Sequence, residues 1–248
     1  MKKFCIANWK MNLTIQESIT FIDRIEDSVL KSDTKIVICP AYTSLYALSE
    51  YSKNKNLNIG AQNVSSSLSG AFTGEISINM LEEIKSKYVI VGHSERRELF
   101  NDTNSEVSKK MNIVMNSNLI PILCIGERLE EKESEQTESV LQTQLNDAFS
   151  KIDCTLVKNK DILIAYEPVW SIGTGIAADI KTIDLNVKMI KNIIKSFNLN
   201  NCNLYILYGG SVNENNASSI LKIKDLNGFL IGGASLKSST FVSIINHM

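Results

Sequence analysis

Asp161-Ile162-Leu163-Ile164-Ala165-Tyr166-Glu167-Pro168-Val169-Trp170-Ser171-Ile172-Gly173-Thr174-Gly175 decides the fold. Ile162–Tyr166 is apolar without interruption, the pattern of a parallel strand buried on both faces. The run then breaks at a carboxylate and a proline and enters a glycine-bearing loop. The same phrase recurs outward in both directions, predicting strands at Phe4–Asn8, Lys35–Cys39, Leu57–Ala61, Tyr88–Val91, Ile120–Ile125, Asp161–Tyr166, Leu204–Tyr208 and Gly228–Ile231. Between them the apolar residues fall at helical spacing: Val107, Met111 and Val114; Leu141, Leu145 and Ala148; Ile183, Val187, Ile190 and Ile194. Strands that alternate with helices predict an α/β fold, a single (β/α)8 barrel spanning 1–248 as one domain.

Glycine placement tells the two ends of that barrel apart. Of twelve glycines, only Gly228 opens a predicted strand; the others lie at or beyond strand C-terminal ends. Glycine permits positive φ and close approach of backbone to a ligand. The C-terminal ends are therefore the expected face for chemistry.

Charge excludes some partners. With 26 basic and 27 acidic residues, neither a nucleic-acid surface nor a polybasic membrane anchor is expected. An anionic ligand would need local groups. No apolar run reaches the roughly 20 residues of a membrane span. Asn8 and Lys10 interrupt the N-terminal apolar stretch too early for an export signal. Cysteines 5, 39, 124, 154 and 202 are odd in number and scattered, as for buried thiols in a reducing compartment, so a cytoplasmic location is expected. No cluster has metal-ligand spacing, and neither a metal nor an organic cofactor is expected.

Polar residues gather at the strand exits. Asn8 and Lys10 end the first strand, and strand alternation would point both toward the barrel mouth. Gly92-His93-Ser94-Glu95-Arg96-Arg97 follows the fourth strand and Cys124-Ile125-Gly126-Glu127 closes the fifth. Tyr208-Gly209-Gly210-Ser211-Val212 and Gly232-Gly233-Ala234-Ser235-Leu236 follow the last two. With N-W-K-M-N at 8–12, G-A-F-T-G-E at 70–75 and Y-E-P-V-W-x-I-G-T-G at 166–175, these motifs in this order resemble the triosephosphate isomerase family from Asn8 to Leu236.

That resemblance implies a TIM barrel that isomerises a triose phosphate, with roles for particular residues. Glu167 would be the base that moves a proton between adjacent carbons. His93, before a helix start that disfavours imidazolium, would be a neutral electrophile. Lys10 would hold the phosphate and polarise the substrate oxygens, with Asn8 as companion donor and Glu95 as a carboxylate beside the lysine. Backbone N–H groups of Gly173, Ser211, Gly232 and Gly233 would bind the phosphate, the last two at the start of a short helix. Residues 167–176 would form a lid latched by Tyr208 and Ser211. The loop 65–76 would insert into a second subunit of a homodimer, where Thr73 supports the partner's lysine and histidine. Three positions depart from the family's usual residues: Ser171 stands for Ala, Ile176 often for Lys, and Asn227 for a frequent Asp. Another sugar-phosphate isomerase or lyase on the same barrel would share the phosphate site but lack the full motif set. A non-catalytic descendant should have lost one of Lys10, His93 and Glu167.

Overall fold

The computed structural model describes residues 2–152, 159–173, 177–197, 199 and 201–248. Among them the strands are β1 Phe4–Asn8, β2 Lys35–Cys39, β3 Asn58–Ala61, β4 Tyr88–Val91, β5 Ile120–Ile125, β6 Lys160–Tyr166, β7 Cys202–Tyr208 and β8 Leu226–Ile231. Each pairs in parallel with the next, and β1 pairs with β8, Phe4 opposite Gly228, so the sheet closes into a (β/α)8 barrel. Helices separate successive strands in the chain.

The unbroken apolar runs follow from this geometry. Phe4, Ile6, Leu163 and Leu207 pack inside the barrel, while their neighbours Cys5, Ala7 and Ile164 pack outward under the helices. Both strand faces are thus dry. The helices supply the outer half of that core: Val107, Met111 and Val114 are buried on Asn104–Met115, Leu141, Leu145 and Ala148 on Thr137–Phe149, and Ile183, Val187, Ile190 and Ile194 on Ile180–Lys195. Their entrances are capped. The Thr14 hydroxyl accepts from Glu17 N–H in a capping box, and Asp179 accepts from Thr182 N–H, interactions of about 1 kcal/mol each.

Strand starts at the barrel floor differ from the pattern-based ones. β3 begins one residue later than predicted, and β6, β7 and β8 begin earlier, at Lys160, Cys202 and Leu226. The ladder there runs through residues such as Lys160 and Asn203, which do not extend the apolar pattern. Gly228 consequently lies inside β8 and does not open it. It takes φ 140°, and a Cβ there would sit 1.9 Å from the Phe4 carbonyl oxygen. Beside it the β7–β8 register shifts between Ile206 and Tyr208. Asn227 fills the break: its Oδ1 accepts from Ile206 N–H at 3.0 Å and its Nδ2 donates to the Lys2 carbonyl at 3.3 Å. An aspartate could accept but not donate, which gives this departure a structural meaning.

Several floor turns manage without glycine because other residues adopt the left-handed conformation: Lys85, Asn159 and Asp225 have φ of 59°, 55° and 69°. Cys5, Cys39 and Cys124 are buried, and burial pushes their thiols up; Cys202 is half-buried, and Cys154 lies outside the described residues. Among the described residues no helix is long and apolar enough to cross a membrane.

Candidate active site

Asn8 is the last residue of β1 and is buried. Lys10 lies beyond the strand with φ 53°, so strand alternation is not what aims it. A left-handed lysine costs energy and needs surrounding bonds to hold it. Its N–H donates to Asn8 Oδ1 at 3.2 Å, and its carbonyl accepts from Gln62 Nε2 at 2.8 Å. Gln62 also donates to the Cys39 carbonyl at 2.9 Å, tying this turn to β2. The Lys10 ammonium meets Glu95 Oε1 at 2.6 Å. Both partners are partly exposed, so this pair orients the lysine more than it stabilises the fold.

β4 delivers His93 through Gly92, whose φ is 70°. His93 caps the helix Ser94–Leu99: its Nδ1 accepts from Glu95 N–H at 3.2 Å. A ring nitrogen that accepts carries no proton, so the hydrogen of this imidazole sits on Nε2. Nε2 in turn faces Glu167 Oε1 at 3.3 Å.

Glu167, at the exit of β6, is 2% exposed. Its other oxygen, Oε2, accepts from Ser94 N–H at 3.1 Å, and its own N–H donates to Ile125 O at 2.7 Å. The carboxylate therefore rests at the positive end of a short helix. Two glycines make room for it: a Cβ at Gly126 would lie 1.7 Å from the Glu167 carbonyl oxygen, and one at Gly209 would lie 2.8 Å from its Cγ.

Asn8, Lys10, His93, Glu167, Gly173, Ser211, Gly232 and Gly233 all line one cleft of about 230 Å³ at the C-terminal face. Glu95 stands behind it, against Lys10. The short helix expected from Gly232 is a four-residue 3₁₀ segment, Gly233–Leu236, and the Trp9 indole N–H donates to the Ser235 carbonyl at 3.1 Å, pinning it to the end of β1. A larger cleft of about 740 Å³ opens beside Arg97, Asn101 and Gln144, but it contains none of Asn8, Lys10, His93 and Glu167.

The segment after Glu167 begins with a 3₁₀ turn, Val169–Ser171. Of the residues read as a lid, Thr174, Gly175 and Ile176 lie outside the described residues. The two residues read as latches touch its flanks: the Tyr208 hydroxyl accepts from Ala178 N–H at 3.2 Å, and the Ser211 hydroxyl donates to the Ser171 carbonyl at 2.7 Å.

Sequence reasoning assigned no role to three residues that build this site. Gln62 holds the Lys10 turn. Arg97 donates to the Gly92 carbonyl at 2.7 Å and the Cys124 carbonyl at 3.2 Å, bracing the turn that carries His93. Glu127 is fully buried; its Oε1 accepts from the Tyr166 hydroxyl at 3.0 Å and from the Trp170 indole at 2.8 Å, and burial pushes its pKa up. Gln62 and Glu127 lie just beyond strand exits and Arg97 on the short helix that follows one, all on the glycine-rich face, which is the signal that marks them.

The chain's relatives agree with this architecture. A family model described as triosephosphate isomerase matches residues 3–248. A triosephosphate isomerase of Buchnera aphidicola subsp. Schizaphis graminum is 45% identical over 248 residues, covering 98% of this chain and 96% of that protein. One of Alkaliphilus oremlandii is 42% identical over 249 residues, covering 99% of this chain and 100% of that protein. One of Clostridium botulinum (strain Langeland / NCTC 10281 / Type F) is 40% identical over 243 residues, covering 97% of each. This chain belongs to the triosephosphate isomerase family.

Proposed function

We propose that the cleft interconverts dihydroxyacetone phosphate and D-glyceraldehyde 3-phosphate by proton transfer through an enediol(ate), with Glu167 as base and His93 as electrophile. The observation that carries this reading is the convergence of Glu167 Oε1 and His93 Nε2, 3.3 Å apart, in the cleft that Lys10 also lines. The Glu167 carboxylate removes the proton from the carbon beside the carbonyl. Electrons flow onto the carbonyl oxygen, where the Nε2–H of a neutral His93 and the Lys10 ammonium stabilise the growing charge. The proton returns from Glu167 to the neighbouring carbon, while hydrogens redistribute between the two substrate oxygens. Nothing is oxidised or reduced overall, and the product is an isomer.

Asn8 adds a donor at the same oxygens, and Glu95 positions the lysine. Backbone N–H groups of Gly173, Ser211, Gly232 and Gly233 take the phosphate, which lets a chain of net charge −1 bind a dianion. Residues 1–248 act as one domain, and scattered, mostly buried thiols suit a cytoplasmic enzyme. The chain works as a homodimer through the loop 65–76. Support comes from its exposed apolar side chains: Leu68 and Phe72 on the loop, and Met11, Tyr46 and Met80 elsewhere, are all more than half exposed.

The test is a coupled assay of isomerisation on wild type and Glu167→Ala. Wild type should turn over both substrates. The variant should lose about 10²–10⁴-fold in kcat with little change in KM, the usual scale for a general base. A variant that keeps more than roughly a tenth of wild-type kcat would assign the base elsewhere.

A further inference from the structure

Ser171 is fully buried at the end of the 3₁₀ turn Val169–Ser171. A buried hydroxyl in an otherwise tight turn needs polar company, and the company here is specific. Its Oγ accepts from Ser211 N–H at 3.4 Å, and its carbonyl accepts from the Ser211 hydroxyl at 2.7 Å. The Ser171 side chain also hydrogen-bonds the Tyr208 phenol, which in turn accepts from Ala178 N–H at 3.2 Å. Gly210 is shaped around this cluster: a Cβ there would meet Tyr208 Oη at 2.3 Å and Ser171 Oγ at 2.9 Å.

The two bonds between Ser171 and Ser211 differ in strength. The hydroxyl-to-carbonyl bond has ordinary length, whereas the N–H to Oγ bond is at the long limit. Ser211 lines the cleft with Gly232 and Gly233, and an anionic oxygen is a much better acceptor for an N–H than a neutral hydroxyl. The weak bond is therefore the one an incoming phosphate would replace.

We propose that Ser171 is a positioning residue whose hydroxyl occupies the Ser211 N–H until substrate phosphate displaces it, so that phosphate binding is read directly by the turn that follows Glu167. The inference rests on the assignment of Ser211 as a phosphate donor. Phosphate and Oγ compete for one hydrogen. Binding therefore works against a bond already made, and its loss leaves the Ser171 side chain on the Tyr208 phenol while the Ser211 hydroxyl keeps its hold on the Ser171 carbonyl. An alanine at 171 would leave the N–H uncommitted, and anion binding would tighten.

Inorganic phosphate is the probe. Its competitive inhibition constant against triose phosphate, and its dissociation constant by titration calorimetry, would be measured for wild type, Ser171→Ala and Ser171→Cys at constant pH and ionic strength. Ser171→Ala should bind phosphate roughly two- to tenfold more tightly, the range set by one neutral hydrogen bond, and KM should fall while kcat does not rise. Ser171→Cys, with a weaker sulfur acceptor, should fall between the two. A general loosening of the turn would weaken binding, so tightening is not a result that mere structural damage produces. Unchanged or weaker phosphate binding in both variants overturns the competition. Absence of competitive phosphate binding by wild type overturns both the competition and the phosphate-site assignment beneath it.

Discussion

Glu167 shows how closely the site is built around one side chain. Among the described residues no lysine or arginine lies within ion-pair distance of it, and it is held by the N–H of Ser94 and the ring of His93. Gly209 and Gly126 then form its walls. The glycines differ in what they protect. A methyl at 126 would strike backbone, and the strand ends would have to move. A methyl at 209 would strike mainly the Glu167 Cγ, and the side chain alone can shift. Gly209→Ala should therefore fold with a melting temperature within a few degrees of wild type but, with Glu167 as the proposed base, lose about 10-fold or more in kcat, because misplacing such a group by even ~1 Å can cost about 10²-fold. Thermal melts and steady-state kinetics on the same preparation check this, and a variant with wild-type kcat would show that the carboxylate tolerates a different seat. At this scale the sequence was informative about identity and silent about aim. Asn8, Lys10, His93 and Glu167 were all legible at strand exits, but the left-handed turn that directs Lys10 was not, since φ at a lysine leaves no mark in its residue type.

Elements were legible where one physical rule governs them. β1, β2, β4 and β5 were bounded correctly because their apolar runs end where burial ends. β7 and β8 were not, because their floor residues pair in the ladder without being apolar throughout, and the shift filled by Asn227 depends on a partner strand. Glu127, at the exit of β5, stayed unread for a similar reason: its role depends on β6 and the following turn, which bring Tyr166 and Trp170 to it. Among the described residues its Oε2 has no hydrogen-bond partner, and the Lys132 ammonium lies 3.4 Å from the Trp170 ring centroid without an ion pair to the carboxylate. Burial raises the pKa of Glu127 above the ordinary 4.5. The unfolded chain therefore gives up this proton first as pH rises. Stability contributed by the protonated form is complete below about pH 4.5 and declines as pH rises through the folded-state pKa. Glu127→Gln, which cannot ionise but keeps an accepting Oε1, should gain stability relative to wild type between pH 4 and pH 7. Chemical denaturation at both pH values measures the gap, and a gap independent of pH would mean that this carboxyl has the same pKa in the folded and the unfolded protein.

The whole molecule raises the question of what covers its apolar surface. Met11 is 96% exposed and Phe72 52%, and isolated apolar side chains of this size are ordinary on a monomer only when scattered. The loop 65–76 offers mostly small hydroxyl residues in its first half, so Phe72 should be an anchor of the proposed dimer. Phe72→Ala should raise the monomer fraction at low concentration and lower activity in step. Sedimentation equilibrium and assays on the same samples test the link; a fully active wild-type monomer, or a monomeric variant with undiminished kcat, would break it. The closure of the barrel has a different consequence, one for synthesis. β1 completes its pairing only with β8, Gly228 fits only against Phe4, and Trp9 is tied to Ser235. Gln62 and Glu95 can hold the Lys10 turn once they are made, but the contacts that lock β1 itself, to β8 and to Ser235, come long after β1 has left the ribosome. A nascent chain lacking β8 would leave β1 and β7 as two sheet edges open to pairing with other chains. Activity thus becomes a late event of translation, and a ribosome stalled before β8 carries an aggregation hazard and no enzyme.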